Sequence, residues 1–123
     1  MSGPVHAALA ATNGALAERY AAFRAASEAA LAPELVALIR QAVAAVHGLG
    51  DAPDEAALDD EARTALAYAR RMPFEHTAIT DGEAAAVVAH MGEAGFVAFS
   101  VVTALADAEC RARQVGLPEL AGA

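Results

Sequence analysis

Alanine occupies 37 of the 123 positions, and no other feature limits more strongly what this chain can fold into. Alanine has the highest helix propensity of any residue, and no run of alternating β-branched residues competes with it. Only about 33 hydrophobic residues are larger than alanine, and burial contributes roughly 25 cal/mol per Å², so an alanine-rich core gains little. We therefore expect one all-α domain over residues 1–123 that buries its remaining apolar faces by self-association, as a homodimer or a larger homo-oligomer.

Charge and cysteine usage exclude several classes of protein. Eight Arg, no Lys and sixteen acidic residues give a net charge of −8, which disfavours binding to nucleic acid or to an anionic membrane surface. No stretch of ~18 uncharged apolar residues predicts a membrane span, and no basic segment near Met1 predicts a signal peptide. The single Cys110 permits no internal disulfide. We expect a cytoplasmic protein, and its arginine-only, alanine-heavy usage is typical of GC-rich bacterial coding.

Local signals predict where the helices begin and end. Pro33 suits a first helical position, Asp59 or Asp60 can cap a helix, and Thr80-Asp81-Gly82-Glu83 is a capping box. Gly116 suits the left-handed position after a last turn. Residues 1–12 are a flexible start or an arm that packs on a neighbour, and 49–60 form an acidic connector with one helical turn after Pro53. These signals predict five helices, at about 13–31, 33–48, 59–73, 80–92 and 92–115.

Three segments together resemble the carboxymuconolactone decarboxylase-like superfamily, which includes alkylhydroperoxidase D. Leu31–Gly48 (LAPELVALIRQAVAAVHG) is similar to the helix that leads into the family's active-site segment, and Leu58–Met72 (LDDEARTALAYARRM) to its acidic-capped helix. Met91–Leu117 (MGEAGFVAFSVVTALADAECRARQVGL) is similar to its long C-terminal helix. The resemblance implies an oligomeric helical bundle with decarboxylase, lyase, isomerase or peroxidase chemistry, without a cofactor.

The chain departs from this family where the peroxidase motif would lie. Alkylhydroperoxidase D-type members carry E-x-x-C-x-x-C-x-x-x-H there, whereas this sequence reads His47-Gly-Leu-Gly-Asp-Ala-Pro53, without a cysteine. What the resemblance retains is Arg63 in the third helix and the pair Asp107 and Arg111 in the last. The four-residue spacing of that pair places both side chains on one face of a helix.

Histidine is the commonest general acid or base, so His47 is the first candidate for proton transfer, with His76 as its partner. The decarboxylase side of the family implies a small carboxylate-bearing substrate, which Arg111, and with it Arg63, would bind. The alternative for His47 is capping of the preceding helix by its imidazole, and the alternative for His76 is an ordinary polar loop residue. A catalytically degenerate ligand-binding or assembly subunit is the alternative for the whole chain.

Cys110 is a third route to function, as the nucleophile of a thiol peroxidase activated by a nearby arginine, Arg111 or Arg113. Its alternative is a small buried apolar residue in the middle of a helix. No metal site is predicted, because the pairs His90/Glu93 and Asp51/Asp54 supply too few ligands. In the last helix, the apolar residues are expected partly in the core and partly at an interface between copies: Phe96, Val97, Phe99, Val101, Val102 and Leu105.

Overall fold

The computed structural model describes residues 3–117, which fold without a strand into five α-helices and one 3₁₀-helix. The predicted all-α class is therefore confirmed. The 3₁₀-helix His76–Ala78 joins the last two α-helices. In chain order the α-helices are α1 (Gly3–Thr12), α2 (Gly14–Ala29), α3 (Pro33–Val46), α4 (Asp60–Glu75) and α5 (Asp81–Gln114).

Most helix starts follow from local chemistry that the sequence displays. Pro33 is the first residue of α3, and the Asp59 carboxylate accepts from the backbone N–H of Ala62 at the start of α4. At α5, the Thr80 hydroxyl accepts from the N–H of Glu83, and the Glu83 carboxylate accepts from the N–H of Thr80. These caps satisfy backbone donors that lack a partner inside the helix. The predicted starts of all three helices are confirmed.

Helix α5 is interrupted where the sequence predicts a boundary between two helices. Gly92 has φ 74° and ψ 173°, which is not helical, so Asp81–Gln114 consists of two helical parts joined at a kink. This region of backbone space is accessible essentially to glycine alone. The end of α5 also agrees with the prediction, because Gly116 follows the last turn with φ 71°.

Two local predictions fail around α4. The sequence predicts that this helix stops at Pro73, but it continues to Glu75. Proline has no N–H to donate to the Ala69 carbonyl four residues back. The helix nevertheless runs two residues further, and the Pro73 carbonyl in this last turn accepts from Arg111 Nη2 at 2.6 Å. The connector before α4 has a hydrogen-bonded turn at residues 56–57 but no helical turn after Pro53.

The hydrophobic core lies between α3, α4 and α5. Ile39, Leu66 and Phe99 are fully buried there. The alanines on the facing sides of these helices are also fully buried, and their small side chains let the helices approach closely. The Tyr68 ring packs edge-on against Phe96 and Phe99, with centroids 5.6 and 5.7 Å away. The three best-covered alanines are Ala42, Ala65 and Ala69.

Helices α1 and α2 pack against each other and against α5. The N-terminal segment, for which the sequence leaves a flexible arm open, forms α1 from residue 3 onward, with Pro4 and Ala8 buried. On α2, the large side chains Leu16 and Phe23 remain 46% and 53% exposed. This side of the molecule therefore buries small residues and leaves large apolar ones in contact with solvent.

By its length and composition alone, helix α5 could also cross a membrane. Within residues 3–117 it is the one helix that passes this test by itself, kink included, with a mean hydropathy of 1.6 and 17% of its apolar stretch buried. The helix pair α2 and α3 passes only when the two are taken together across a bend of 114°. The core helix of a soluble protein passes the same test, but such a helix is mostly buried. The small buried share in α5 means that most of its apolar stretch is left uncovered by residues 3–117.

Candidate functional site

His47 follows the last turn of α3, and its side chain is enclosed by the protein. Its backbone N–H donates to the carbonyls of Val43 and Ala44, and Gly48 turns the chain away with φ 75°. The imidazole has no exposed surface. The residue therefore ends the helix through its backbone, while its ring points into the molecule.

Both ring nitrogens of His47 face side-chain oxygens from α5. Nε2 lies 2.7 Å from Asp107 Oδ1, and Nδ1 lies 3.2 Å from Gln114 Oε1. The Gln114 amide also donates from Nε2 to the His47 carbonyl, at 2.9 Å. Asp107 and Gln114 are seven residues apart, which is two helical turns, so one face of α5 supplies both partners.

Each ring nitrogen of His47 therefore has a side-chain oxygen within hydrogen-bond distance, and the tautomer of the ring decides which nitrogen donates. The Asp107 carboxylate places a negative charge beside Nε2.

Arg111 closes the site on its outer side. Its Nε donates to both oxygens of Asp107 at 3.1 Å, and Nη2 donates to the Pro73 carbonyl. Its guanidinium also lies 5.1 Å from the centre of the Phe74 ring, and that ring is 4.9 Å from the His47 imidazole. We call these five residues the His47 cluster: His47, Phe74, Asp107, Arg111 and Gln114.

The other residues proposed with His47 lie elsewhere. Arg63 donates to the backbone carbonyls of Glu55 and Ala56 at 3.1–3.2 Å, so it holds the connector rather than the cluster. His76 is exposed in the 3₁₀-helix, and within residues 3–117 its side chain makes no hydrogen bond to the cluster. The structure thus brings His47 together with Arg111, but not with His76 or Arg63.

Cys110 is 9% exposed on the inner side of α5. Burial raises the pKa of its thiol, and the nearby carboxylates of Asp107 and Glu109 raise it further, against a lowering by Arg113. The thiolate is the reactive form of cysteine, so these surroundings favour the unreactive thiol. In the part of the chain that the structure describes, no group of three or more metal-ligating side chains is found.

A second group of buried charges was not anticipated from the sequence. Arg24 of α2 donates from Nη1 to Glu109 of α5 at 2.9 Å, and both side chains are more than nine-tenths buried. Arg24 also donates to Glu28 at 3.1 Å, and Glu28 accepts in addition from Arg40 of α3. The i,i+4 spacing of Arg24 and Glu28 was visible in the sequence, but Glu109 lies 85 residues from Arg24 and gave no local signal.

Comparisons with known proteins identify no relative of this chain. No family model matches it, and neither a curated protein nor a solved structure is found to be similar.

Proposed function

We propose that this chain is a non-catalytic, self-assembling subunit, a divergent member of the carboxymuconolactone decarboxylase-like superfamily that acts in the cytoplasm. The three segments that resemble the family fall on α3, on α4 and on α5 beyond Gly92. These are the helices that form the core. Support for the non-catalytic part comes from the His47 cluster, and support for assembly comes from the outer face of α5.

The contacts and the burial of the His47 side chain favour a structural role. A general base must come within hydrogen-bond reach of the proton that it takes from a substrate. Here both ring nitrogens already have protein partners at 2.7 and 3.2 Å, and the side chain has no exposed surface. The cluster, buried at His47 and exposed at Phe74 and Arg111, joins the end of α3 to α4 and α5, and such a polar network fixes helix packing.

The uncovered face of α5 is the observation that carries the proposal. Beyond Gly92, the residues at successive steps of three and four form one outer stripe, in which Val97 is 62% exposed. Exposed contiguous apolar surface is typical of an interaction site. We call this set the α5 stripe: Ala94, Val97, Val101, Ala104 and Ala108.

A second copy of the chain is the partner that fits the α5 stripe. The exposed Glu93 lies at one end of the stripe, and the half-exposed Arg111 lies at the other. An antiparallel arrangement about a two-fold axis near residue 102 brings each Glu93 to the Arg111 of the other copy. The small side chains along the stripe let two such helices pack closely, with knobs-into-holes contacts.

Light scattering on a sizing column tests the assembly. The wild type should have a mass of at least twice the 12.4 kDa of one chain, and Val97→Glu should reduce it to a single chain. The matched control is Leu16→Glu, which adds the same charge at an exposed apolar residue of α2 and should leave the mass unchanged. A wild-type monomer at micromolar concentration, or a Val97→Glu variant that stays assembled, would contradict the proposal.

A histidine acid/base enzyme is the second candidate, and one feature favours it. Asp107 orients the His47 ring at 2.7 Å while it also holds Arg111, whose side chain is 49% exposed and could bind a substrate carboxylate. For an enzyme of this kind, His47→Gln should keep the fold and lose about 10²–10⁴-fold in rate on a small carboxylic acid or lactone. For a structural cluster, the same variant should instead lose about 1–3 kcal/mol of unfolding free energy.

A further inference from the structure

A cavity of about 320 Å³ lies between α1, α2, α3 and α5, on the side of the molecule away from the α5 stripe. Its volume is at the lower end of the range for small-molecule sites. Gly3 and Pro4 bring the N-terminal end of α1 to its rim, and the Glu109 carboxylate lies against Gly3 there, where the helix dipole favours its negative charge. One part of its lining is charged and the other part is apolar.

The charged part of the lining contains three of the eight arginines in the chain. They are the buried Arg24, the partly buried Arg40 and the exposed Arg113. Two carboxylates oppose them, Glu109 in the lining and Glu28 behind it. Burial alone would raise the pKa of Glu28, but hydrogen bonds from Arg40 and Arg24 lower it, so this carboxylate is ionised at neutral pH.

The local charge count leaves one guanidinium in excess. Glu28 and Glu109 balance two positive charges, and Arg113 makes no ion pair within residues 3–117. The whole chain carries a net charge of −8, so a positive cavity cannot follow from general composition. One uncompensated positive charge fits one negative charge.

The rest of the lining is apolar and suits a short hydrocarbon body. Ala44, Leu49, Ala106 and Cys110 form this part of the wall. A ligand with one anionic head and a small apolar tail would place its head near Arg113 and its tail against these side chains. From the charge, the volume and this lining, we infer that the cavity binds a small monocarboxylate.

Calorimetry with hexanoate tests the inference, with hexanamide as a probe of the same size and no charge. Hexanoate should bind the wild type, and Arg113→Gln should weaken binding about tenfold or more, because a charged hydrogen bond is lost. Arg19→Gln is the matched control, since Arg19 is an exposed arginine outside the cavity, and it should change affinity less than about twofold.

Several results would overturn the inference. They are no binding of hexanoate at millimolar concentration, equal binding of hexanamide, and unchanged affinity in Arg113→Gln. Tighter binding of inorganic phosphate than of hexanoate would contradict the assignment of a carboxylate with an apolar tail. None of these results depends on self-association, which the mass of the Val97→Glu variant tests separately.

Cys110 gives a second readout that needs no substitution. It is the only cysteine in the chain and lies in the cavity wall, so alkylation by neutral iodoacetamide reports on that wall alone. Because the pKa of this thiol is raised, the alkylation is slow and is followed at alkaline pH, where hexanoate keeps its charge. Saturating hexanoate should slow the alkylation several-fold, and hexanamide should not. An alkylation rate that hexanoate leaves unchanged would place the carboxylate elsewhere.

Discussion

The two sides of this bundle are held together by different forces. Between α3, α4 and α5, large side chains such as Ile39, Leu66 and Phe99 are fully buried. Helices α1 and α2 instead bury alanine, proline and the Arg24–Glu109 ion pair, and they expose large apolar side chains. Alanine-rich helices offer little area for hydrophobic docking, so a buried charge pair fixes their position. The same composition therefore produces a core of large buried side chains between α3, α4 and α5, and a second side, α1 and α2, that is held with less hydrophobic burial.

Phe99→Ala should have the largest effect, because it removes the largest fully buried side chain of the core. We expect a loss of about 3–5 kcal/mol of unfolding free energy, from lost burial and from the cavity that remains. Denaturant unfolding followed by circular dichroism measures it. Phe23→Ala on the exposed face of α2 is the control and should stay within about 0.5 kcal/mol. Equal losses in the two variants would remove the distinction between the two sides.

Glu109→Gln should destabilise the α1–α2 side specifically. The substitution removes the negative charge that the buried Arg24 contacts on α5, at a cost of about 1–3 kcal/mol. Amide hydrogen exchange should show faster exchange in α1 and α2, while α3 and α4 keep their protection. The double variant Arg24→Met, Glu109→Leu removes both charges and should recover part of the loss. Faster exchange spread evenly over all helices would contradict the claim that the ion pair holds α1 and α2 in particular.

A side-chain cap on α5 and one on α2 allow a matched test of the two sides. Thr80 caps α5 and Asn13 caps α2, each by accepting from a backbone N–H three residues on. Replacing either by alanine should cost about 1 kcal/mol locally. Thr80→Ala should lower global stability because α5 belongs to the core, whereas Asn13→Ala should mainly accelerate amide exchange in α2. The reverse pattern would mean that α2, and not α5, belongs to the core.

Acid should weaken the contact of α2 with α3 through Glu28. Hydrogen bonds from Arg40 and Arg24 outweigh burial and hold the pKa of this carboxyl below its ordinary value of 4.5. The unfolded chain therefore binds the proton first, and stability falls as the pH drops below about 4.5 and through the lower folded pKa. In Glu28→Gln this part of the acid slope should disappear from unfolding curves measured between about pH 3 and 6. A slope equal to that of the wild type would contradict the ion pairs.

Local features of the fold could be predicted from the sequence, and long-range contacts could not. Pro33, Asp59, Thr80 and Gly92 each act within a few residues, so their effects on helix boundaries are visible in the printed sequence. Pro73 misled the prediction because the contact to this last turn, from Arg111 to the Pro73 carbonyl, comes from a residue 38 positions away.

The candidate site illustrates the same limit. His47 and the i,i+4 pair Asp107 and Arg111 were singled out from the sequence, and that pair does form. That Asp107 and Gln114 both contact the His47 ring came from the fold. Asp107 lies 60 residues from His47, and Gln114 lies 67 residues from it. Gln114 shares a helix face with Asp107, which is a signal that could have been used. Phe74 gave none, because nothing local shows that its ring would lie between an imidazole and a guanidinium.

Cysteine cross-linking along the α5 stripe tests most directly the claim that two copies meet there. In a Cys110→Ser background, Val101→Cys and Ala94→Cys place single thiols at the middle and at one end of the stripe. An antiparallel pair centred near residue 102 brings the two thiols of Val101→Cys together and separates those of Ala94→Cys by about 24 Å along the helix. A short bis-maleimide should therefore link the Val101→Cys variant into dimers and leave Ala94→Cys monomeric. If neither variant is linked, or if both are, the antiparallel α5 interface is wrong.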